Sequence, residues 1–224
     1  MEFFWKRENR NALQARNSFV TRKAEEKMDV LAGVFKSAAR ERFVGEQRDT
    51  LQRTLKFEGF LYFENLKLVY NWENRFFAVN YNLQMLSDIN VNHRFADIGS
   101  CSFDMQYSMK RHSNDRFVCR KWQNEDTEGC ERYLERLNNP LIIDRIHDLD
   151  IYRVAINYRP EWRYFRISME SIIGSGTWIL IPPVMQLITP QKSECIRFME
   201  LYELLGDALV NNKNNNNKGG KIYE

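Results

Sequence analysis

Between Lys56 and Ile188 the apolar residues come in strand-length runs broken by polar turns. After Thr189–Pro190 a long helical stripe follows. Many strands and then one closing helix point to an α+β fold. The opening run alternates, with Phe57, Gly59, Leu61 and Phe63 set against Glu58, Phe60, Tyr62 and Glu64. Aromatic residues at both parities suggest a strand covered on both sides. Residues 75–79 and 83–86 read as the next two strands, with Asn80–Asn82 as the turn between them. Further strand patterns lie at 101–107, 116–121, 151–157, 163–169 and 178–188, and residues 129–138 read as a short helix that ends at Asn138-Asn139-Pro140. Over 189–209 the apolar residues Ile196, Met199, Leu201, Leu204, Leu205 and Leu209 recur at the helical period, and Ile196, Met199 and Leu205 are expected to face the sheet.

Residues 9–54 lack proline and are rich in good helix formers. They predict a helical N-terminal arm over 1–54. Twelve Lys/Arg against eight Asp/Glu leave that arm at +4, more than the whole chain's net +3. Such an arm suits a partner protein or an anionic membrane surface. Its first aromatic residues, Phe3, Phe4 and Trp5, are the expected anchors, because a free surface gains nothing by exposing them. The tail over 211–224 is Asn-rich and too poor in apolar surface to form a core. The N-terminal stretch does not read as a secretory signal. The uncharged run 171–190 contains Pro182 and Pro183, so it is expected to be a buried strand with a proline kink, not a spanning helix.

Little in the chain suggests chemistry. There is no CxxC pair, and Cys101, Cys119, Cys130 and Cys195 are expected to be reduced, structural thiols of an intracellular protein, cytoplasmic, membrane-peripheral or mitochondrial. His147-Asp148 and Asp148-Leu-Asp150 lack the companions a metal site needs, and Gly174-Ser-Gly176 is too short to cradle a phosphate. No catalytic residue, metal ligand or cofactor is assigned. Bases and acids are interspersed, which speaks against a dedicated nucleic-acid binder. Residues 157–166 interleave Arg with Trp and Tyr, the mixture that protein interfaces use, and Arg159, Trp162 and Arg163 are the candidate partner contacts.

The stretch Glu58-Gly59-Phe60-Leu61-Tyr62, then Trp72-Glu-Asn-Arg75-Phe-Phe77-Ala-Val79, then Leu83-Gln-Met85-Leu86, resembles the opening strands of a pleckstrin-homology domain, and residues 196–209 resemble its closing helix. The resemblance implies an antiparallel β-sandwich or barrel capped by a C-terminal helix, spanning 55–210, with an insertion at about 108–160. It also implies that Trp72 and Phe77 are at least half-buried. Members of that family that bind phosphoinositides gather basic residues at the first loop; here these would be Lys56, Lys67 and Arg75. Glu73 stands where a further base is needed and would repel phosphate. The expected function is therefore a non-enzymatic accessory or scaffold subunit of a larger assembly, acting on other protein subunits. A peripheral adaptor on anionic lipid and an RNA-contacting subunit of a ribonucleoprotein, such as a ribosome, are the alternatives.

Overall fold

The computed structural model describes residues 19–75, 77–90, 102–109, 116–120, 128–159, 161–180 and 183–210. Helix α1 (Phe19–Ala39) and a 3-10 turn (Arg40–Arg42) precede strands β1 (Phe43–Asp49), β2 (Gln52–Phe57), β3 (Asn65–Arg75), β4 (Ala78–Asn90), β5 (Phe103–Ser108) and β6 (Val118–Arg120). Helices α2 (Glu128–Leu137) and α3 (Pro140–Asp148) follow, then β7 (Ile151–Tyr158), β8 (Tyr164–Leu180), β9 (Pro183–Leu187) and helix α4 (Lys192–Val210).

Among the described residues the strands form one nine-stranded sheet in the order β1-β2-β3-β4-β8-β7-β5-β6, with β9 beside β8. Every pairing is antiparallel. Period-two patterning decides its two faces. Leu68, Met85, Met169, Val154 and Tyr107 are successive cross-strand partners, and all are buried. One position along, Lys67, Leu86, Ser168, Ala155 and Gln106 make the matching row on the other face, where all but the buried Ser168 are half-exposed. Helices cover the first face. Phe35 of α1 meets Phe198 of α4 at 6.1 Å between rings, Tyr133 of α2 meets Phe165, and the Tyr202 hydroxyl donates to the Met85 carbonyl at 2.9 Å.

The α+β class and the closing helix are as the sequence implies. The strands, however, make a single open sheet in place of a sandwich or barrel. The hairpins also shift. Glu58–Tyr62 form a bend between β2 and β3, Asn80–Asn82 lie inside β4, and the turn falls between Arg75 and Ala78. The helical reading of 1–54 holds for Phe19–Ala39, but Phe43–Phe57 form the β1–β2 hairpin, and α1 packs into the core. Charged helix formers there serve in strands because they pair with one another. Glu46 on β1 takes Lys36 at 2.7 Å and Arg48 at 3.2 Å, and Arg53 reaches Asp29 of α1 at 2.7 Å. The span 108–160 is no insertion, since β7 lies between β8 and β5 in mid-sheet. Asn139-Pro140 begins a helix: the Asn139 side chain accepts from Leu141 N at 2.9 Å and Pro140 occupies the first turn, a standard helix start.

Two further expectations fail on exposure. Trp72 is half-buried, but Phe77, at the hairpin tip, is exposed. Met199 and Leu205 are buried, whereas Ile196 lies on the outer side of α4. The cysteine reading also changes, because Cys119 of β6 and Cys130 of α2 form a disulfide. It ties the shortest edge strand to the helical layer.

β8 is long enough to change partners. Its first half lies between β4 and β7, its second between β4 and β9. The change occurs at residues 172–175, which stand opposite Asn82 alone. Ser171 and Ser175 hold this bulge. Ser171 Oγ donates to Leu149 O at 2.8 Å, and Ser175 Oγ donates to Ser171 O and accepts from Leu83 N at 2.9 Å. Gly174 adopts φ +86°, and a Cβ there would come within 2.5 Å of Leu83, so only glycine fits without displacement.

Candidate interaction surface

The β7–β8 turn carries the most organised surface cluster. Tyr164 and Arg166 lie two apart on β8, so both point to the open face. Trp162, in the turn, stacks on Tyr164 with ring centroids 5.6 Å apart and planes 16° from parallel. The Arg166 guanidinium sits 5.2 Å from each ring centroid, within cation–π range. Arg166 donates to both oxygens of Asp88 across the β4–β8 pair, at 2.9 and 3.1 Å. Arg159 donates to both oxygens of Asp104, at 3.0 and 3.1 Å, and lies 5.8 Å from the Trp162 ring. Each guanidinium is thus fixed by a two-pronged carboxylate contact.

Beside this cluster the sheet twists into a shallow polar hollow of about 270 Å³, lined by side chains that include Gln84, Asn157 and Ser168. Arg153 and Glu170 pair at 3.1 Å in it, and Gln84 donates to Ser168 at 2.7 Å.

Of the residues singled out from sequence, Arg159 and Trp162 come together. Arg163 is exposed in the same turn with φ +56°. Tyr164, Arg166, Asp88 and Asp104 complete the cluster without a sequence signal of their own. The first two lie within residues 157–166, but their role depends on aspartates from β4 and β5, which only pairing brings near. Phe3, Phe4 and Trp5 lie outside the described residues.

Lys56, Lys67 and Arg75 do not converge. Lys56 and Lys67 share the open face near one end of the β2–β3 pair. Arg75 lies eight residues along β3 from Lys67, about 26 Å at ~3.3 Å per residue. It is also paired with Glu73 at 3.0 Å. No single headgroup spans that distance.

Cys195 is fully buried, and burial pushes its thiol up to about 12, so it carries no thiolate at neutral pH. Among the described residues no group of His, Cys, Asp and Glu could hold a metal ion. No described helix is long and apolar enough to cross a membrane.

No curated protein and no solved structure matches the chain. The family described as "Protein of unknown function (DUF3156)" matches residues 35–209, from the last turns of α1 to the end of α4, and the chain belongs to that family.

Proposed function

We propose that the chain is a non-enzymatic interaction subunit that docks a protein partner through the β7–β8 turn and the adjoining open sheet face. The observation that carries this reading is the stack of Arg159, Trp162, Tyr164 and Arg166. Arginine and aromatic side chains dominate interface energetics. Ordering a long side chain at an interface costs roughly 0.5–1.5 kcal/mol. Asp104 and Asp88 already hold both guanidiniums, so much of that ordering is in place before a partner arrives. A polar, half-exposed sheet face beside the stack suits a partner that leaves in water what it does not contact.

The pleckstrin-homology resemblance enters this proposal as a likeness of use, a sheet with a closing helix serving as a scaffold. Its lipid-binding form gains nothing from the scattered Lys56, Lys67 and Arg75. The Cys119–Cys130 bridge supports an oxidising compartment over the reducing interior expected from the cysteine count.

Tagged full-length chain, Trp162→Ala and Glu161→Gln should be compared by quantitative affinity purification from native cells. We expect a set of chains held by the wild type and by Glu161→Gln and lost from Trp162→Ala. Equal recovery on all three would refute the reading.

A further inference from the structure

The helical layer carries a second surface that the sheet-face reading does not use. α4 forms the floor of an open groove of about 910 Å³. Its floor runs along one stripe from Ile196 to Asp207, eleven residues or about 16 Å at the helical rise. The bend after β2 makes one wall and the start of α3 the other. Leu61, on the first wall, is 84% exposed; Leu141, on the second, is 55% exposed; Ile196, between them, is 37% exposed. Three apolar side chains from three separate elements thus border one hollow, which scattered surface leucines do not do.

The walls are fixed. Glu203 accepts from Leu61 N at 2.9 Å and Tyr62 N at 3.0 Å, and the Tyr62 hydroxyl donates to Asp207 at 2.9 Å. Tyr62 lies so close over Gly206 that a Cβ there would stand 2.4 Å from its own. On the other side Arg145 bridges to Glu200 at 3.5 Å. The groove's three carboxylates are therefore occupied in holding it open. Its two remaining bases, Arg40 and Arg42, are exposed and have no carboxylate partner among the described residues; Arg42 rests over the Phe60 ring at 4.7 Å.

We propose that this groove receives a short amphipathic helical segment of a partner protein, with its apolar stripe between Leu61 and Leu141 and its carboxylates facing Arg40 and Arg42. The lining comes from helices and a bend, so no strand edge is offered. An extended segment would find no ladder for its backbone, whereas a helix satisfies its own N–H and C=O groups. The floor's length matches about three helical turns. Charge selects against a second copy of this chain, which would bring the same two unpaired arginines, its groove acids being already engaged. The inference stands apart from the β7–β8 turn, so either can fail alone.

The test is selection of a displayed random library of sixteen-residue peptides on the full-length chain, counted against Leu61→Asp and Leu141→Asp. Both substitutions fall on exposed positions, and their melting temperatures check the fold. The enriched peptides should be acidic, carry apolar residues at i, i+3 or i+4, and i+7, and bind either variant at least tenfold more weakly. The Arg40→Glu/Arg42→Glu variant should prefer lysine-flanked versions of the same stripes. Enrichment of basic or unpatterned peptides, enrichment indifferent to Leu61, or no enrichment would overturn the proposal. So would Leu61-dependent dimerisation in sizing experiments, or Leu61-dependent binding to phosphatidylserine vesicles in place of peptides.

Discussion

Arg159 and Asp104 meet through two near-equal hydrogen bonds, 3.0 and 3.1 Å, between the end of β7 and the start of β5. Both are largely shielded, with side chains 18% and 11% exposed. The pair sits under Trp162, so the indole's position depends on a carboxylate more than fifty residues earlier in the chain.

Removing either partner alone should therefore be costly, because each deletion strands the other's shielded charge. Asp104→Ala strands a shielded guanidinium and should cost about 2–3 kcal/mol, the range for losing a charged hydrogen-bonding partner. Arg159→Leu removes the charge but leaves a shielded carboxylate, and the double variant Asp104→Ala/Arg159→Leu should recover part of the loss. Urea unfolding of the four proteins measures the coupling. Additive costs would mean the pair is not a unit.

The disulfide gives a second expectation. Ten residues lie between Cys119 and Cys130, and closing so short a loop is worth about 3 kcal/mol on the chain-entropy account. Cys119→Ser should lose roughly 2–3 kcal/mol against the oxidised wild type and nothing against wild type in excess reductant. An equal difference in both conditions would place the effect in packing.

The charge network between α1 and the β1–β2 hairpin sets a pH dependence. Burial pulls the Glu46 pKa up, but the hydrogen bond from Lys36 and the charges of Lys36 and Arg48 outweigh it, so the folded-state value lies below the ordinary one. A carboxylate with a depressed folded pKa contributes stability that is fully present above its unfolded pKa, roughly 4.3, and is lost as pH falls through the folded value. Urea midpoints of wild type and Glu46→Gln should differ most near neutral pH and converge below about pH 4. A constant gap down to pH 3 would remove Glu46 from the account.

Much of this architecture is readable from local patterns, and what is not readable is non-local. The stripe of α4 announces itself, because a helix's partners recur within its own sequence. Strand β7 also shows its alternation, in Val154, Ile156 and Tyr158. Its place beside β8 depends on pairing, and an otherwise correct strand therefore reads as part of an insertion. The β1–β2 hairpin is hidden for another reason. Arg48, Arg53 and Glu46 are helix formers by propensity, and only their ion pairs with each other and with α1 make them strand residues. At the surface, Trp162 and Arg159 are conspicuous by type. Leu61, Leu141 and Ile196 are not, because each is an ordinary exposed aliphatic until three elements meet.

Gly206 should tolerate no side chain while Tyr62 stays. Gly206→Ala should cost about 1–3 kcal/mol through overpacking, since the new methyl would meet Tyr62 Cβ at 2.4 Å and Cγ at 2.5 Å. In a Tyr62→Ala background the same change should cost little. Thermal unfolding of the cycle decides it, and an undiminished cost in that background would show that Tyr62 is not what Gly206 accommodates.

Arg40 separates folding from binding. It holds φ +54°, a left-handed conformation that costs a residue with a Cβ about 1–2 kcal/mol. Glycine adopts it freely, at some extra loss of chain entropy. Arg40→Gly should therefore leave stability unchanged or raise it by up to about 1 kcal/mol. If the guanidinium faces a partner's carboxylate, the same change should weaken an acidic groove-binding peptide by about threefold to tenfold, the upper part of the range for exposed ion pairs and somewhat beyond. Arg40→Lys keeps the charge and the strain, so it should retain most of the affinity with wild-type stability. Urea titration and fluorescence anisotropy on the three proteins read the two effects separately. A loss of stability in Arg40→Gly would assign the side chain to the fold, and unchanged peptide affinity would remove it from the groove's recognition.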